Sequence, residues 1–228
     1  MELVFYGHSC FKLVSESGKK ILIDPWISNP VAPKSVDMGP YDYILITHAH
    51  GDHLGDVLKL ARTSVTEVVA IHEVQQFLLK NGVPKVTGMN IGGTYKLGEL
   101  VFTMVPAFHS SSFPDGSYGG DACGFVITLE DGTAIYHAGD TGLFYDMKLI
   151  GELYGPKIAI LPIGDHYVMG PREAAKACEL LSPEVVIPMH YGTFPILTGT
   201  VEEFKKALSE FGVKVEVVEL KPGESYKK

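Results

Sequence analysis

Apolar and polar positions along the chain follow two rhythms, and the changes between them mark the elements. Residues 3–6, 11–14 and 20–23 are short runs rich in β-branched and aromatic side chains and read as strands, with Glu16-Ser17-Gly18 turning the second into the third. Residues 43–46 are continuously apolar, as a strand covered on both faces would be. Helical spacing follows at 54–61, then a strand at 68–71 and a helix at 73–80. The middle of the chain reads as strands at 95–97, 100–106, 124–129 and 133–137, with Gly98-Glu99 and Asp131-Gly132 at hairpin turns. Beyond it the rhythm alternates: strand 158–161, helix 172–181 ending before Ser182-Pro183, strand 185–188, helix 201–211 stopped by Gly212, and a last strand at 213–218.

This amounts to about a dozen strands with four or five helices. The expected class is therefore α/β, with two sheets packed face to face, helices outside, and residues 1–228 forming one domain. Neither a linker nor a short repeat divides the chain. With 46% hydrophobic residues a packed core is expected. The formal net charge of -8 argues against broad nucleic-acid binding, where basic side chains must neutralise phosphates, and leaves a small molecule as the expected partner. Cys10, Cys123 and Cys178 are odd in number and form no CxxC, so neither a disulfide framework nor a zinc ribbon is indicated. The N-terminus lacks a basic n-region, and no apolar run approaches the ~20 residues of a membrane-spanning helix. A reduced, cytoplasmic protein is the expectation.

The chemistry concentrates in Thr47-His48-Ala49-His50-Gly51-Asp52-His53, directly after the apolar strand at 43–46. Histidines at i and i+2 on an extended segment point to one side, and Gly51 lets the chain turn sharply after them. His48 and His50 can thus aim at one cation while Asp52 and His53 reach a second. Imidazole and carboxylate together suit zinc, manganese, iron or nickel and suit calcium poorly.

HxHxDH at a strand end resembles the signature of the metallo-β-lactamase superfamily. The later ligands of that pattern have counterparts in order: His109 in Pro106-Ala107-Phe108-His109, Asp140 in His137-Ala138-Gly139-Asp140, and His190 in Pro188-Met189-His190. Asp24, in Ile21-Leu22-Ile23-Asp24-Pro25, resembles the early structural aspartate. The resemblance implies an αββα sandwich, a four-layer fold of two mixed β-sheets flanked by helices, with metals at one edge. It also implies two divalent transition ions, zinc first among those named above. His48, His50 and His109 would hold one ion, Asp52, His53 and His190 the other, and Asp140 would bridge them. A hydroxide shared by the ions would be the nucleophile, with Asp52 steering it or taking its proton. His137, within its strand, reads as a buried core histidine, and His72, at a helix start, as a cap or surface residue.

Tyr6-Gly7-His8-Ser9-Cys10 is similar to the opening of one branch of that superfamily, the compact UPF0173-like metal-dependent hydrolases related to ascorbate-6-phosphate lactonase. His8 is therefore a second catalytic candidate, protonating a leaving group or binding substrate, with a hydrogen bond to the ligands as the alternative. Asp165 and His166 follow a strand on what should be the same rim. Ser110-Ser111-Ser112 and Tyr118-Gly119-Gly120-Asp121 read as a mobile lip. Arg172 reads as a solvated helix residue behind Pro171.

Departures from other branches narrow the expected activity. A cysteine stands at the Asp140 position in the best-known β-lactamases, little chain follows His190, and neither a large insert nor a basic arm is present. What remains is cleavage of an ester-type bond, a phosphodiester or lactone of a small metabolite, anionic or phosphorylated substrates included. A metal-bound sensor without turnover and a mononuclear-iron redox enzyme are the alternatives. Relatives of this kind often form homo-oligomers, a point on which the sequence is silent.

Overall fold

The computed structural model describes residues 1–63 and 65–228. Its first sheet runs β14-β1-β2-β3-β4-β5-β6, from β1 (Glu2–Phe5), β2 (Phe11–Val14), β3 (Lys20–Ile23), β4 (Tyr43–Leu45), β5 (Glu67–Ile71), β6 (Val86–Met89) and β14 (Ser225–Lys227). The second runs β13-β12-β11-β10-β9-β8-β7, from β7 (Thr94–Leu97), β8 (Leu100–Pro106), β9 (Cys123–Thr128), β10 (Ala134–His137), β11 (Ile158–Pro162), β12 (Val185–Met189) and β13 (Glu216–Val217). In each sheet antiparallel pairing gives way to parallel pairing, at β3–β4 and at β10–β11. The two sheets are mixed and flanked by helices, the expected αββα arrangement.

Antiparallel neighbours can be joined by a short turn, as β7 and β8 are across Gly98-Glu99, whereas parallel neighbours need a crossover. The crossovers carry α3 (His72–Lys80), α4 (Met147–Tyr154) and α5 (Pro171–Leu181), and α6 (Val201–Phe211) packs beside α5. Each helix buries one stripe: Val74 and Leu78 from α3, Met147 and Ile150 from α4, Phe204 and Leu208 from α6. A reciprocal capping box between Thr200 and Glu203 starts α6, and Gly212 in the left-handed region ends it. Strands such as β5 and β12 are buried along their whole length, so their apolar runs are continuous rather than alternating.

The helix expected at 54–61 is two single turns instead, α1 (Gly51–Leu54) and α2 (Val57–Leu60). Gly55 separates them at φ 47°, where a Cβ would stand 2.5 Å from Trp26 Cα, so the chain bends to lie against the loop after β3. Asp52 and His53 consequently sit on a helical turn. The last strand is two residues, not six, and β6, β14 and α4 lie outside the expected elements. β6 is half-exposed, with Gly88 inside it, and so carries little pattern. Among the described residues no helix is long and apolar enough to cross a membrane.

What this topology does for chemistry is bring strand C-termini to one edge. Asp24 follows β3, His48 follows β4, His109 follows β8, Asp140 follows β10 and His190 follows β12. Loops beyond the carboxyl ends of strands are where α/β folds place their ligands.

Candidate metal centre

Asp24 anchors the site. It is fully buried and accepts hydrogen bonds from Thr47 N (2.9 Å), Thr47 Oγ1 (2.8 Å) and His53 Nδ1 (2.7 Å). With its Nδ1 proton on Asp24, His53 would turn an Nε2 lone pair toward a bound ion, the arrangement in which a carboxylate fixes a ligating imidazole. The close approach of Gly139 to Thr47 sets the distance between the two halves. A Cβ on Gly139, at φ 62°, would stand 2.6 Å from Cys123 O and 2.9 Å from Thr47 Cβ.

The seven expected ligands converge. His48, His50 and His109 form one group able to share a cation, with His48 Nε2 and His50 Nδ1 2.9 Å apart. Asp52, His53 and His190 form a second group, joined by His8. Asp140 Oδ2 lies between them, 3.6 Å from His109 Nε2, 3.3 Å from His53 Nε2 and 3.0 Å from His190 Nε2. His48, His53, Asp140 and His190 are buried, and Asp52, His50 and His109 border the cavity.

Electrostatics suit a cation. Burial keeps His48, His50 and His109 below the ordinary imidazole range. Burial opposes ionisation of Asp140, yet His190 and His53 beside it hold its carboxyl well below the usual range. Asp52 is lowered too: burial works against it, and the His8 hydrogen bond prevails. His53 loses by burial but is held well above its ordinary value by Asp140 and Asp24 on either side. The carboxylates are thus charged and most rings neutral, the states in which these groups bind metal. Buried His53 Nε2 and Asp140 Oδ1 have no hydrogen-bond partner among the described residues. Such orphans cost about 1–3 kcal/mol each, and a bound divalent ion would satisfy them. The donor set therefore fits the implied metals.

His8 lies within the cluster, buried, at φ 56°. Its Nε2 stands 3.1 Å from Asp52 Oδ2 and its Nδ1 3.0 Å from Thr193 Oγ1. Burial brings its pKa down to about 4, against the pull of Asp52. A neutral ring then donates from Nε2 to Asp52 and accepts at Nδ1 from the Thr193 hydroxyl. The main chains of the two turns are also tied, His190 N donating to His8 O at 2.8 Å, with both residues in the left-handed region. Strained backbone held this firmly is common where side chains must be aimed.

A cavity of about 440 Å³ opens over the cluster, lined by His50, Gly51, Asp52, His109, Ser110, Asp140, Tyr167, His190 and Phe194. Asp165 and His166 do not line it. Asp165 faces a separate groove with Gly170 and Arg172, and Tyr167 reaches the cavity in their place. Arg172 pairs with Glu210 at 2.8 Å, as a solvated helix residue would. The loop expected as a mobile lip is packed down: Ala49 N donates to Ser111 Oγ, and Phe113 stacks on Phe77 at 4.3 Å. His137 is a core histidine bonded to Ser9 O, and exposed His72 opens α3. The sequence reading missed Thr193, Tyr167, Phe194 and Trp26. Aromatic residues in the glycine-rich loops after β11 and β12 were the available signal.

A family model described as "Beta-lactamase superfamily domain" matches residues 19–191. A UPF0173 metal-dependent hydrolase of Methanopyrus kandleri is 50% identical over 232 residues, covering all of both chains. One from Pyrococcus furiosus is 52% identical, over 99% of this chain and 98% of its own. Among solved structures, a metallo hydrolase from the hyperthermophilic archaeon Ignicoccus hospitalis superposes with a TM-score of 0.89 at 42% identity, covering 100% of this chain and 98% of its own.

Proposed function

The chain belongs to the β-lactamase superfamily and is a metal-dependent hydrolase, and from this premise we propose that it works with two divalent ions to cleave an ester-type bond of a small metabolite. The observation that carries the reading is the pair of ligand groups meeting at Asp140. His48, His50 and His109 would hold one ion, Asp52, His53 and His190 the other, and Asp140 both. When bound, such ions would acidify a water enough for attack at neutral pH and would set positive charge against the developing oxyanion. Zinc leads among ions this donor set accepts, with manganese, iron and nickel compatible.

The chain's own residues do the rest. Asp24 holds the His53 proton on Nδ1, and Asp140 keeps its charge between the two histidine groups. Asp52 borders the cavity with its side chain 31% exposed, and would orient an attacking water or accept its proton. His8 Nε2–H donates to Asp52, with the Thr193 hydroxyl fixing the ring, and would hold that carboxylate in position while a proton taken up by Asp52 from the water passes on to the departing oxygen. Phosphodiesters and lactones are the bond types in view. One contiguous core from Leu3 to Leu220 supports taking residues 1–228 as a single domain, and three buried free cysteines support a reducing, cytoplasmic setting.

The test is hydrolysis by protein purified without chelator, using bis-p-nitrophenyl phosphate and a panel of small lactones. Turnover that disappears on chelation, returns with the ion, and is absent in Asp140→Ala is expected. A fully metal-loaded protein that hydrolyses none of them would transfer the reading to a sensor. Iron-dependent oxygen consumption with a thiol would transfer it to redox chemistry.

A further inference from the structure

We infer that the cavity selects an uncharged substrate, an ester or lactone whose apolar group lies against Phe194 and Tyr167, rather than a phosphorylated or carboxylated one. This rests on the hydrolytic reading of the site and narrows its substrate class. Three independent observations carry it.

First, none of the described residues lining the cavity is lysine or arginine. Sites built for phosphate or carboxylate groups present guanidinium or ammonium donors to them. Both arginines of the chain are engaged elsewhere: Arg172 pairs with Glu210 and lies over Phe211, and Arg62 Nε donates to Leu58 O. Among the described lining residues the formal side-chain charges are the carboxylates of Asp52 and Asp140, which the ions would engage, so no side-chain cation is left to pair with a distal anion.

Second, the wall is aromatic and supported. Phe194, 37% exposed, stacks on Trp26 at 6.1 Å with 28° between the planes and meets the His8 ring at 5.7 Å. Tyr167, 57% exposed, backs onto His166 at 4.5 Å. Large aromatic faces open to water beside a deep polar floor invite an apolar group. Third, the formal charge of the chain is -8, and two divalent ions leave it negative, so the long-range field does not draw anions in.

Trp26 is the only tryptophan in the chain, so its fluorescence reports on the wall without any turnover. Metal-loaded protein is titrated with butyranilide, an uncharged amide, and with succinanilic acid, which adds one carboxylate. In parallel, kcat/KM is measured for p-nitrophenyl butyrate and p-nitrophenyl hemisuccinate. The uncharged member of each pair is expected to win by at least about tenfold, the scale of one charge left without a partner. Phe194→Ala is expected to weaken butyranilide about three- to tenfold, the range of one aromatic contact. Tyr167→Arg should raise kcat/KM for the hemisuccinate relative to the butyrate.

Equal or tighter binding of the carboxylated amide overturns the inference, whatever is hydrolysed. Preference for butyranilide with no hydrolysis of any ester sustains the inference and overturns the hydrolytic reading. Absence of both binding and hydrolysis overturns both.

Discussion

Replacing Asp24 by asparagine removes the support of the ligand shell with the smallest change of shape. Asp24 sits at φ 47°, a region asparagine enters about as readily as aspartate, so the turn after β3 is kept. The carboxylate accepts three hydrogen bonds out of contact with water, from Thr47 N, Thr47 Oγ1 and His53 Nδ1. An amide oxygen can keep the first, but its NH₂ then faces two donors. The Thr47 hydroxyl has an alternative acceptor in His48 Nδ1, 3.1 Å away. His53 keeps only a long contact to Thr47 Oγ1, 3.5 Å away, and otherwise regains a partner by moving its proton from Nδ1 to Nε2. That tautomer places a hydrogen where the lone pair must face an ion. Losing the carboxylate behind a ligating imidazole weakens metal binding about 10- to 100-fold, which is about 1.4–2.8 kcal/mol. Competition against a chromophoric chelator measures the affinity, and thermal unfolding of metal-free protein separates it from any folding defect. Wild-type affinity for every ion in Asp24→Asn would refute the reasoning, because His53 would then not depend on its acceptor.

Three further predictions concern different parts of the chain. Gly139→Ala forces a side chain into a left-handed turn 2.6 Å from Cys123 O, and should cost about 1–3 kcal/mol in urea unfolding together with a lowered metal content. His8→Asn keeps the left-handed backbone and the carbonyl that accepts from His190 N; turnover should fall about 10²–10⁴-fold with metal content retained, and undiminished turnover would remove His8 from the mechanism. Glu67 is buried and accepts from Lys85 (2.7 Å), Thr87 (2.6 Å) and Tyr95 (2.8 Å), joining β5 to β7 of the other sheet. Burial opposes its ionisation, but these donors lower its pKa below the ordinary 4.5, so the stability it lends is present above that value and lost as pH falls through the folded one. Glu67→Gln should therefore trail the wild type by about 1–3 kcal/mol at pH 7, with the gap narrowing as pH falls below 4.5, read from urea unfolding across that range.

How much of this was legible in the sequence depended on whether the determinant was local. The strands at 11–14, 20–23 and 100–106 and the helix at 201–211 carry their own signals, in β-branched runs and in the Thr200, Glu203 and Gly212 caps, and the observed bounds agree with them. The HxHxDH cluster was equally local, and its later partners could be sought because each follows an apolar strand. By contrast, the break at Gly55 is imposed by Trp26, twenty-nine positions earlier in the chain, and within 54–61 only the glycine itself hints at it. β14 forms only by pairing with β1, and half-exposed β6 has little periodicity. The same distinction separates His8, found in its motif, from Thr193, whose relevance exists only because the fold sets it 3.0 Å from the His8 ring. Asp165 and His166 lay on the correct loop, but the left-handed backbone at both, φ 64° and 61°, turns the chain so that Tyr167 faces the cavity.

One chain should hold two ions through groups that share Asp140. Elemental analysis of protein purified without chelator tests it most directly, with Asp140→Ala and Asp52→Ala alongside. About two transition ions per chain are expected in the wild type, about one in Asp52→Ala and fewer still in Asp140→Ala. A single ion per chain, unchanged when Asp52, His53 or His190 is replaced, would contradict it.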